Sequence, residues 1–213
     1  MIKLLAAAVL ASAAVPSLAA IPVYDTTPVT LGNQNYGDNL GLDFTVNRAI
    51  TVTSLGAFDS GADGISTNVE VALYNLDTSS FVTSFVSFNG ATATGGSAYA
   101  FKSIAPVTLA AGNYSVIGRG FNSIDQNFNT NLSGQNNASP IAFNSLFGAL
   151  TNVGSRYGGG ANPSAGSFFP PVSAFGAGSF AAYVPEPATW GLLIAGFAMT
   201  GFAMRRRSGA IAA

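Results

Sequence analysis

The sequence predicts an all-β fold, an antiparallel β-sandwich of jelly-roll type, with a separate targeting segment at each end. Short runs rich in β-branched and aromatic residues recur between clusters of Gly, Asn, Asp and Ser, which is the pattern of strands joined by turns. No stretch of the body, residues 21–183, shows the apolar period of about 3.6 residues that marks an amphipathic helix. The body is long enough for one domain with a hydrophobic core.

Several runs of the body are predicted strands. In residues 69–75, for example, Val69, Val71 and Leu73 fall on one face of an extended chain. The predicted strands are residues 42–46, 50–58, 69–75, 81–88, 98–104 and 179–184, together with residues 106–118, in which a tight turn at Gly112 and Asn113 separates two strand segments. Residues 121–171 are rich in Asn, Gly and Ser, with Phe interspersed. They form either a long decorated loop region or the last irregular strands of the sandwich.

The composition excludes several classes of function. Charged residues make up 8% of the chain, against about 25% in an ordinary soluble domain. The body has no cluster of Lys or Arg, so nucleic-acid binding is not expected. The chain has no Cys and no His, which removes disulfides, a cysteine nucleophile and a histidine triad. No nucleotide-binding or hydrolase motif is present, and we predict that the protein is not an enzyme.

Residues 1–20 have the composition of a secretory signal peptide. Lys3 supplies a positive start, residues 4–14 form an apolar stretch too short to span a bilayer, and Pro16 ends it. Small residues then precede a predicted cleavage site after Ala19 or Ala20. The alternative is a buried N-terminal helix. The signal-peptide interpretation predicts that the protein is exported.

The segment 184–208, VPEPATWGLLIAGFAMTGFAMRRRS, combines an acidic turn, an apolar run and three arginines. Residues 188–204 carry no charge, and at about 1.5 Å per helical residue they make a short but feasible membrane span. Trp190 would lie at one interface, and Arg205, Arg206 and Arg207 would hold the other end on the cytoplasmic side. The alternative is a C-terminal core helix, but such a helix should be amphipathic.

These residues carry a family resemblance. Pro185-Glu186-Pro187, followed by the apolar run and the arginine cluster, resembles the PEP-CTERM sorting signal of Gram-negative bacteria. The spacing to Trp190 resembles the PEPxxWA subclass, with Gly191 where that subclass usually has Ala. The resemblance implies a precursor held transiently in the inner membrane and processed near Pro-Glu-Pro by an exosortase, a membrane cysteine protease. It also implies association with exopolysaccharide, biofilm or the outer surface.

A second resemblance concerns the body. Residues 42–46, 50–59, 71–75 and 106–116 are similar to phrases of a β-sandwich region found in many PEP-CTERM proteins of undefined function. This resemblance covers about residues 37–120 and supports the sandwich prediction.

The acidic stretch from Asp59 to Glu70 is the candidate for metal binding. Asp59, Asp63 and Glu70 take the first, fifth and twelfth positions of an EF-hand loop. Gly61 replaces a ligand, and the flanks are strands rather than helices, so we reject an EF-hand. Two alternatives stay open, a calcium-binding loop that uses Asp59 and Asp63, and a turn in which the Asp side chains cap backbone amides. No other cofactor is expected.

The predicted function is that of an exported cell-surface or extracellular-matrix protein with a structural or adhesive role. The first alternative is a carbohydrate-binding module, in which aromatic rings of residues 121–171 stack on sugars and Asn amides bind hydroxyls. The second is a polysaccharide-active hydrolase, for which Asp59 and Glu70 would be the first carboxylate pair to test.

Overall fold

A computed structural model describes residues 19–27, 30–130, 141–170, 174–185 and 194–199 of the chain. Strands dominate these ranges. They also contain two single-turn 3-10 helices, Ser60–Ala62 and Pro163–Ala165, and a six-residue helical segment at 194–199. The all-β prediction is confirmed. Most of the predicted signal peptide lies outside the described residues.

The described residues contain fifteen strands, numbered in chain order. They are β1 (Ile21–Pro22), β2 (Tyr24–Asp25), β3 (Leu40–Val46), β4 (Ile50–Phe58), β5 (Glu70–Asn75), β6 (Ser80–Phe81), β7 (Val86–Ser87), β8 (Tyr99–Leu109), β9 (Gly112–Arg119), β10 (Phe128–Asn129), β11 (Ala142–Phe143), β12 (Leu150–Tyr157), β13 (Ser167–Phe169), β14 (Phe175–Gly176) and β15 (Gly178–Tyr183).

Two antiparallel sheets form the body. The larger has the order β13-β12-β3-β9-β5-β6, and β7 also pairs with β5. The smaller has the order β1-β15-β4-β8. Two short pairs, β10 with β14 and β11 with β2, complete the described sheets. Apart from β12 with β13 and β5 with β6 or β7, neighbours in both main sheets are distant in sequence, so the fold depends on long-range pairing.

The two main sheets pack against each other across one core. Val71, Phe44 and Val116 come from the larger sheet, and Leu55 and Phe180 come from the smaller, all with at most 1% exposure. A fully buried aliphatic or aromatic side chain stabilises the fold by about 1.5–3 kcal/mol relative to an exposed one. Alternation of side chains along each strand places these residues inward.

The sheets come closest where glycines replace larger residues. A Cβ on Gly118 of β9 would lie 2.9 Å from the Ala177 carbonyl carbon. A Cβ on Gly178 of β15 would lie 3.1 Å from a methyl carbon of Val116. At Gly118 a side chain would therefore force the facing backbone to move, and at Gly178 it would press on the Val116 side chain.

Most predicted strands are present. Residues 50–58 form β4 over their full length, and residues 98–104 and 106–109 join into the single strand β8. Proline is tolerated within β8 because Pro106 lies opposite a register irregularity between Val52 and Ser54 of β4. The chain then turns at residues 110–111 and enters β9, which belongs to the other sheet.

The prediction of one strand over residues 81–88 is wrong. Phe81 pairs with Tyr74 and Val86 pairs with Val71, but the residues between them leave the ladder. The Leu73 amide donates instead to the side-chain oxygen of Thr83, at 3.0 Å. A side-chain acceptor thus replaces a strand carbonyl, as Thr commonly allows.

The region 121–171 contains irregular strands, which was the second of its two interpretations, rather than one long loop. Its described part contains β10, β11 and β13 as short strands and the eight-residue β12 in the larger sheet.

Within the described residues, no helix is both long enough and apolar enough to cross a bilayer. Residues 188–193 and 200–204 of the predicted membrane helix lie outside the described part.

Candidate functional site

The predicted sorting segment begins where the folded core ends. Tyr183 is the last residue of β15, a strand paired on both sides by β1 and β4. Val184 packs partly buried against the core, and Pro185 is exposed. Glu186, Pro187, Trp190 and Arg205, Arg206 and Arg207 lie outside the described residues. The exposed Pro185 therefore presents the start of the Pro-Glu-Pro sequence directly at the surface of the body.

Both ends of the body lie side by side. β1 runs antiparallel to β15, with Ile21 opposite Ala182. The predicted signal cleavage after Ala19 or Ala20 falls directly before β1. The two predicted processing positions therefore meet at one edge of the smaller sheet.

Asp59 stabilises a turn through its side chain. The residue is 1% exposed, and its two carboxylate oxygens accept hydrogen bonds from the amides of Gly64, at 3.1 Å, and Ala93, at 2.8 Å. This is the amide-capping arrangement left open by the sequence. Asp63 is exposed at the end of the same 3-10 turn.

Glu70 lies away from this turn, on β5, and is paired with a cation. Its Oε2 accepts hydrogen bonds from the Arg119 Nε and Nη2 atoms at 2.9 and 2.7 Å. The Arg119 guanidinium also lies 3.5 Å from the ring centroid of Phe85. Glu70 is thus held by an ion pair on the surface of the larger sheet.

No group of three or more acidic side chains that could hold a metal ion is present in the described part of the chain. Calcium binding by Asp59 and Asp63 stays a prediction. Any such ion would have to share the Asp59 oxygens with two backbone amides, because both oxygens already accept hydrogen bonds.

A different site emerges at one end of the body, as an open cleft of about 460 Å³. Its described walls are Gln34, Tyr36, Leu40, Asn129, Tyr157, Phe169, Ala174 and Phe175. Four of these side chains are aromatic and none is charged. Binding sites for small molecules typically have this size and this mixture of apolar walls and a few polar groups.

Four rings of the cleft pack in fixed relative orientations. Tyr157 and Phe169, on the adjacent strands β12 and β13, lie nearly parallel at 15° with centroids 5.6 Å apart. Tyr36 meets Tyr157 edge-on at 85° and 5.8 Å. Phe175 meets both Tyr157 and Phe169 edge-on, at 75° and 77°. Such contacts each add about 0.5–1.5 kcal/mol beyond area burial, so the rings are held in place without a ligand.

A network of amides forms the polar wall of the cleft. The Asn127 and Asn129 side chains donate to the Gln34 Oε1 atom at 2.9 and 3.1 Å. The Asn127 Oδ1 accepts from the Tyr36 amide at 3.3 Å. The Gln34 Nε2 donates to no described residue. This group, the Asn129 side chain and the tyrosine hydroxyls are the polar side-chain groups of the described walls.

The pKa of one cleft residue, Tyr36, is shifted by its surroundings. Burial raises the pKa of Tyr36, and the negative charge of Asp38 and the neighbouring Tyr157 raise it further. Both effects favour the neutral phenol. Tyr36 therefore stays protonated at neutral pH and is able to donate a hydrogen bond.

Sequence reasoning identified part of this site. It selected Phe169 and the Asn-rich run that includes Asn127 and Asn129, but it assigned no role to Gln34, Tyr36 or Phe175. Gln34 and Tyr36 lie more than a hundred residues before Tyr157, Phe169 and Phe175, and no local pattern connects the two groups.

Comparison with known protein families matches residues 184–207 to the PEP-CTERM protein-sorting motif. This match confirms the resemblance of the C-terminal segment, although it does not confirm the PEPxxWA subclass. At a stringent threshold, no curated protein and no solved structure matches the chain.

Proposed function

We propose that this chain, an exported protein carrying a PEP-CTERM protein-sorting motif, is a structural or adhesive component of the cell surface or extracellular matrix, associated with exopolysaccharide. The observation that carries the proposal is the motif at residues 184–207. The motif implies a membrane-anchored precursor, exosortase processing and sorting to the cell surface.

The position of the motif on the body supports this proposal. Val184 packs against the core and Pro185 is exposed, so a protease reaches Pro185 without unfolding β15. Cleavage at or after Pro185 leaves every described strand intact. The released product is then a complete β body, as a surface component requires.

The experiment compares the native protein with a variant in which Pro185, Glu186 and Pro187 are all replaced by Ala. Intact mass and cell fractionation are measured in the native host. We expect the native form to lack its sorting segment and to lie outside the inner membrane, and the variant to keep the segment and remain in the membrane. The matched control is Pro170→Ala, at an exposed proline of the body, which should be sorted normally.

Retention of the segment in both proteins, with unchanged location, would mean that the C-terminus is an ordinary anchor and would overturn the proposal. Loss of the segment from both would mean that processing does not depend on Pro-Glu-Pro. A normally sorted protein that fails to sediment with exopolysaccharide of its host would overturn the matrix association alone.

The carbohydrate-binding alternative is supported by the aromatic cleft, because the Tyr157 and Phe169 rings are exposed and the described walls are uncharged. The hydrolase alternative has less support. Asp59 is engaged with backbone amides and Glu70 is paired with Arg119. We therefore keep the proposal that the protein is not an enzyme.

A further inference from the structure

We propose that the cleft between Tyr36, Tyr157 and Phe169 binds a neutral saccharide, with Tyr157 and Phe169 as the stacking platform. This inference rests on the proposed function, since a protein sorted to the cell surface meets matrix polysaccharide there. It goes further by naming the site and the class of sugar.

Both rings of the platform are partly exposed. Tyr157 is 36% exposed and Phe169 is 39% exposed, and their rings lie within 15° of parallel. A pyranose ring presents a face of C–H groups, which pack against aromatic faces through dispersion and weak C–H contacts. The two rings are stacked nearly parallel with centroids 5.6 Å apart, so their exposed parts form one apolar surface on which a sugar unit packs.

The platform is rigid before any ligand binds. Phe175, which is 5% exposed, supports both rings from behind by edge-on contacts. Tyr36 fixes the edge of Tyr157. A surface that is already ordered loses little conformational entropy on binding.

Polar groups lie beside the platform where sugar hydroxyls would be. Gln34 lines the cleft, and its Oε1 is already engaged by two Asn side chains. Its Nε2 group has two protons and no partner among the described residues. The Tyr36 and Tyr157 hydroxyls, which also have no hydrogen-bond partner there, can donate and accept. Together they match the paired donors and acceptors of sugar hydroxyls.

Because the described walls carry no charge, the cleft should bind a neutral sugar better than an anionic one. An anionic sugar such as a uronate would lose hydration in the cleft without gaining a cationic partner. Asp38 adds negative charge close to Tyr36, and this opposes an anion further. The observations therefore favour a neutral hexose polymer over an acidic one.

The test uses the processed protein purified from its native host. Binding of soluble neutral glucan and galactan oligosaccharides is measured by calorimetry, with alginate as the anionic comparison. We expect the native protein to bind at least one neutral oligosaccharide and to bind alginate more weakly. Tyr157→Ala and Phe169→Ala should each lower the affinity by roughly tenfold or more, as truncation of a central aromatic contact does.

Phe168→Ala is the matched control. Phe168 is the neighbouring residue on β13, is 41% exposed, and its ring faces the other side of the strand beside Arg156. This variant should bind like the native protein. Thermal unfolding of all three variants separates loss of binding from loss of fold, and Tyr157→Phe, which keeps the ring, should retain most of the affinity.

Each remaining result would overturn the inference. Equal loss of binding in Phe168→Ala and Tyr157→Ala would place the site elsewhere, as would unchanged binding in both platform variants. Binding of a proline-rich peptide with no binding of saccharide would make the cleft a peptide groove. Sorting is measured separately in the same cells, so a correctly sorted protein that binds no neutral saccharide refutes this inference and leaves the proposed sorting function intact.

Discussion

The ring of Phe44, on β3 of the larger sheet, lies 4.8 Å from the ring of Phe180, on β15 of the smaller sheet. Both side chains are 0% exposed. Phe44 also stacks on Tyr114 of the adjacent strand β9, at 6.0 Å, and Phe180 contacts the ring of Tyr24 at 6.4 Å. The two main sheets are therefore joined at this point by a continuous aromatic cluster.

Replacement of Phe180 by Ala should destabilise the body severely. The substitution removes a fully buried ring and leaves a cavity between the two sheets. It should lower the free energy of unfolding by about 3–5 kcal/mol. Chemical denaturation of the processed protein measures this change. Phe147→Ala is the control, because Phe147 is 85% exposed, and it should change stability by less than about 0.5 kcal/mol. Similar losses in the two variants would contradict the buried position of Phe180.

Gly118→Ala should destabilise the contact between the sheets. Its Cβ would lie 2.9 Å from the carbonyl carbon and 3.0 Å from the Cβ of Ala177, so one sheet has to move. Overpacking of this kind typically lowers stability by about 1–3 kcal/mol. Gly37→Ala serves as comparison, since its Cβ would make an ordinary contact of 3.4 Å with the Phe121 carbonyl oxygen. Equal melting temperatures for the two variants would show that the sheets tolerate separation here.

Breaking the buried ion pair between Asp43 and Arg156 should lower stability far more than breaking the more exposed pair between Glu70 and Arg119. The Arg156 Nε lies 2.8 Å from the Asp43 Oδ1, and the two side chains are 11% and 1% exposed. Arg156→Met leaves a buried carboxylate without a partner and should remove about 3–5 kcal/mol of stability. Arg119→Met breaks a pair whose side chains are 41% and 22% exposed, and should remove about 1 kcal/mol or less.

Denaturation of the two variants at low and high salt provides the measurement. The double variant Asp43→Leu, Arg156→Met removes both charges and should recover much of the loss, because no unpaired charge remains buried. A double variant as unstable as Arg156→Met alone would mean that packing around Arg156, rather than its charge, holds the two strands together.

Alkaline pH should unfold the body through its buried tyrosines. Burial raises the pKa of Tyr24 and of Tyr99, and in both cases neighbouring negative charge raises it further. In the unfolded chain a tyrosine loses its proton at about pH 10. The stability that these phenols contribute is thus fully present below that pH, and it falls as the pH rises towards the folded-state values.

Tyrosinate absorbance, followed together with circular dichroism, measures this coupling. Exposed tyrosines should titrate first, and the buried ones should titrate with loss of sheet structure. Tyr99→Phe should shift alkaline unfolding to higher pH. It should also keep stability at neutral pH, because the Tyr99 hydroxyl is buried without a hydrogen-bond partner among the described residues. Titration of every tyrosine with the sheets intact would contradict the predicted coupling.

Strand prediction succeeded where alternating side chains and the turn residues that bound them are close together in the sequence. Residues 50–58 form β4 with the predicted bounds, and residues 179–184 correspond to β15 within one residue at each end. It was wrong over residues 81–88, because the Thr83 hydroxyl replaces a strand carbonyl for Leu73. β12 lay in a region whose Asn and Gly content resembles a loop, and its strand state depends on pairing with β3 more than a hundred residues away.

In the acidic turn, too, the sequence identified the candidate residues, and long-range contacts decided their roles. The spacing of Asp59 and Asp63 left both calcium binding and amide capping open to interpretation. Folding carries residues 91–93 past Asp59, so that the Ala93 amide reaches its Oδ2. It also places Glu70 against Arg119 on β9. Neither partner is near in sequence, and the roles of these acids depend on contacts that spacing does not encode.

By itself, the sequence determined the sorting motif and the all-β fold class of the protein. A sorting motif is a contiguous string, and an all-β pattern is a period-two alternation, so both are properties of neighbouring residues. Only the tertiary structure decided that Gln34, Tyr36, Asn129, Tyr157 and Phe169 share one cleft. The reason is physical. Antiparallel pairing of distant strands brings their ends together in space, and no local interaction along the chain specifies which ends will meet.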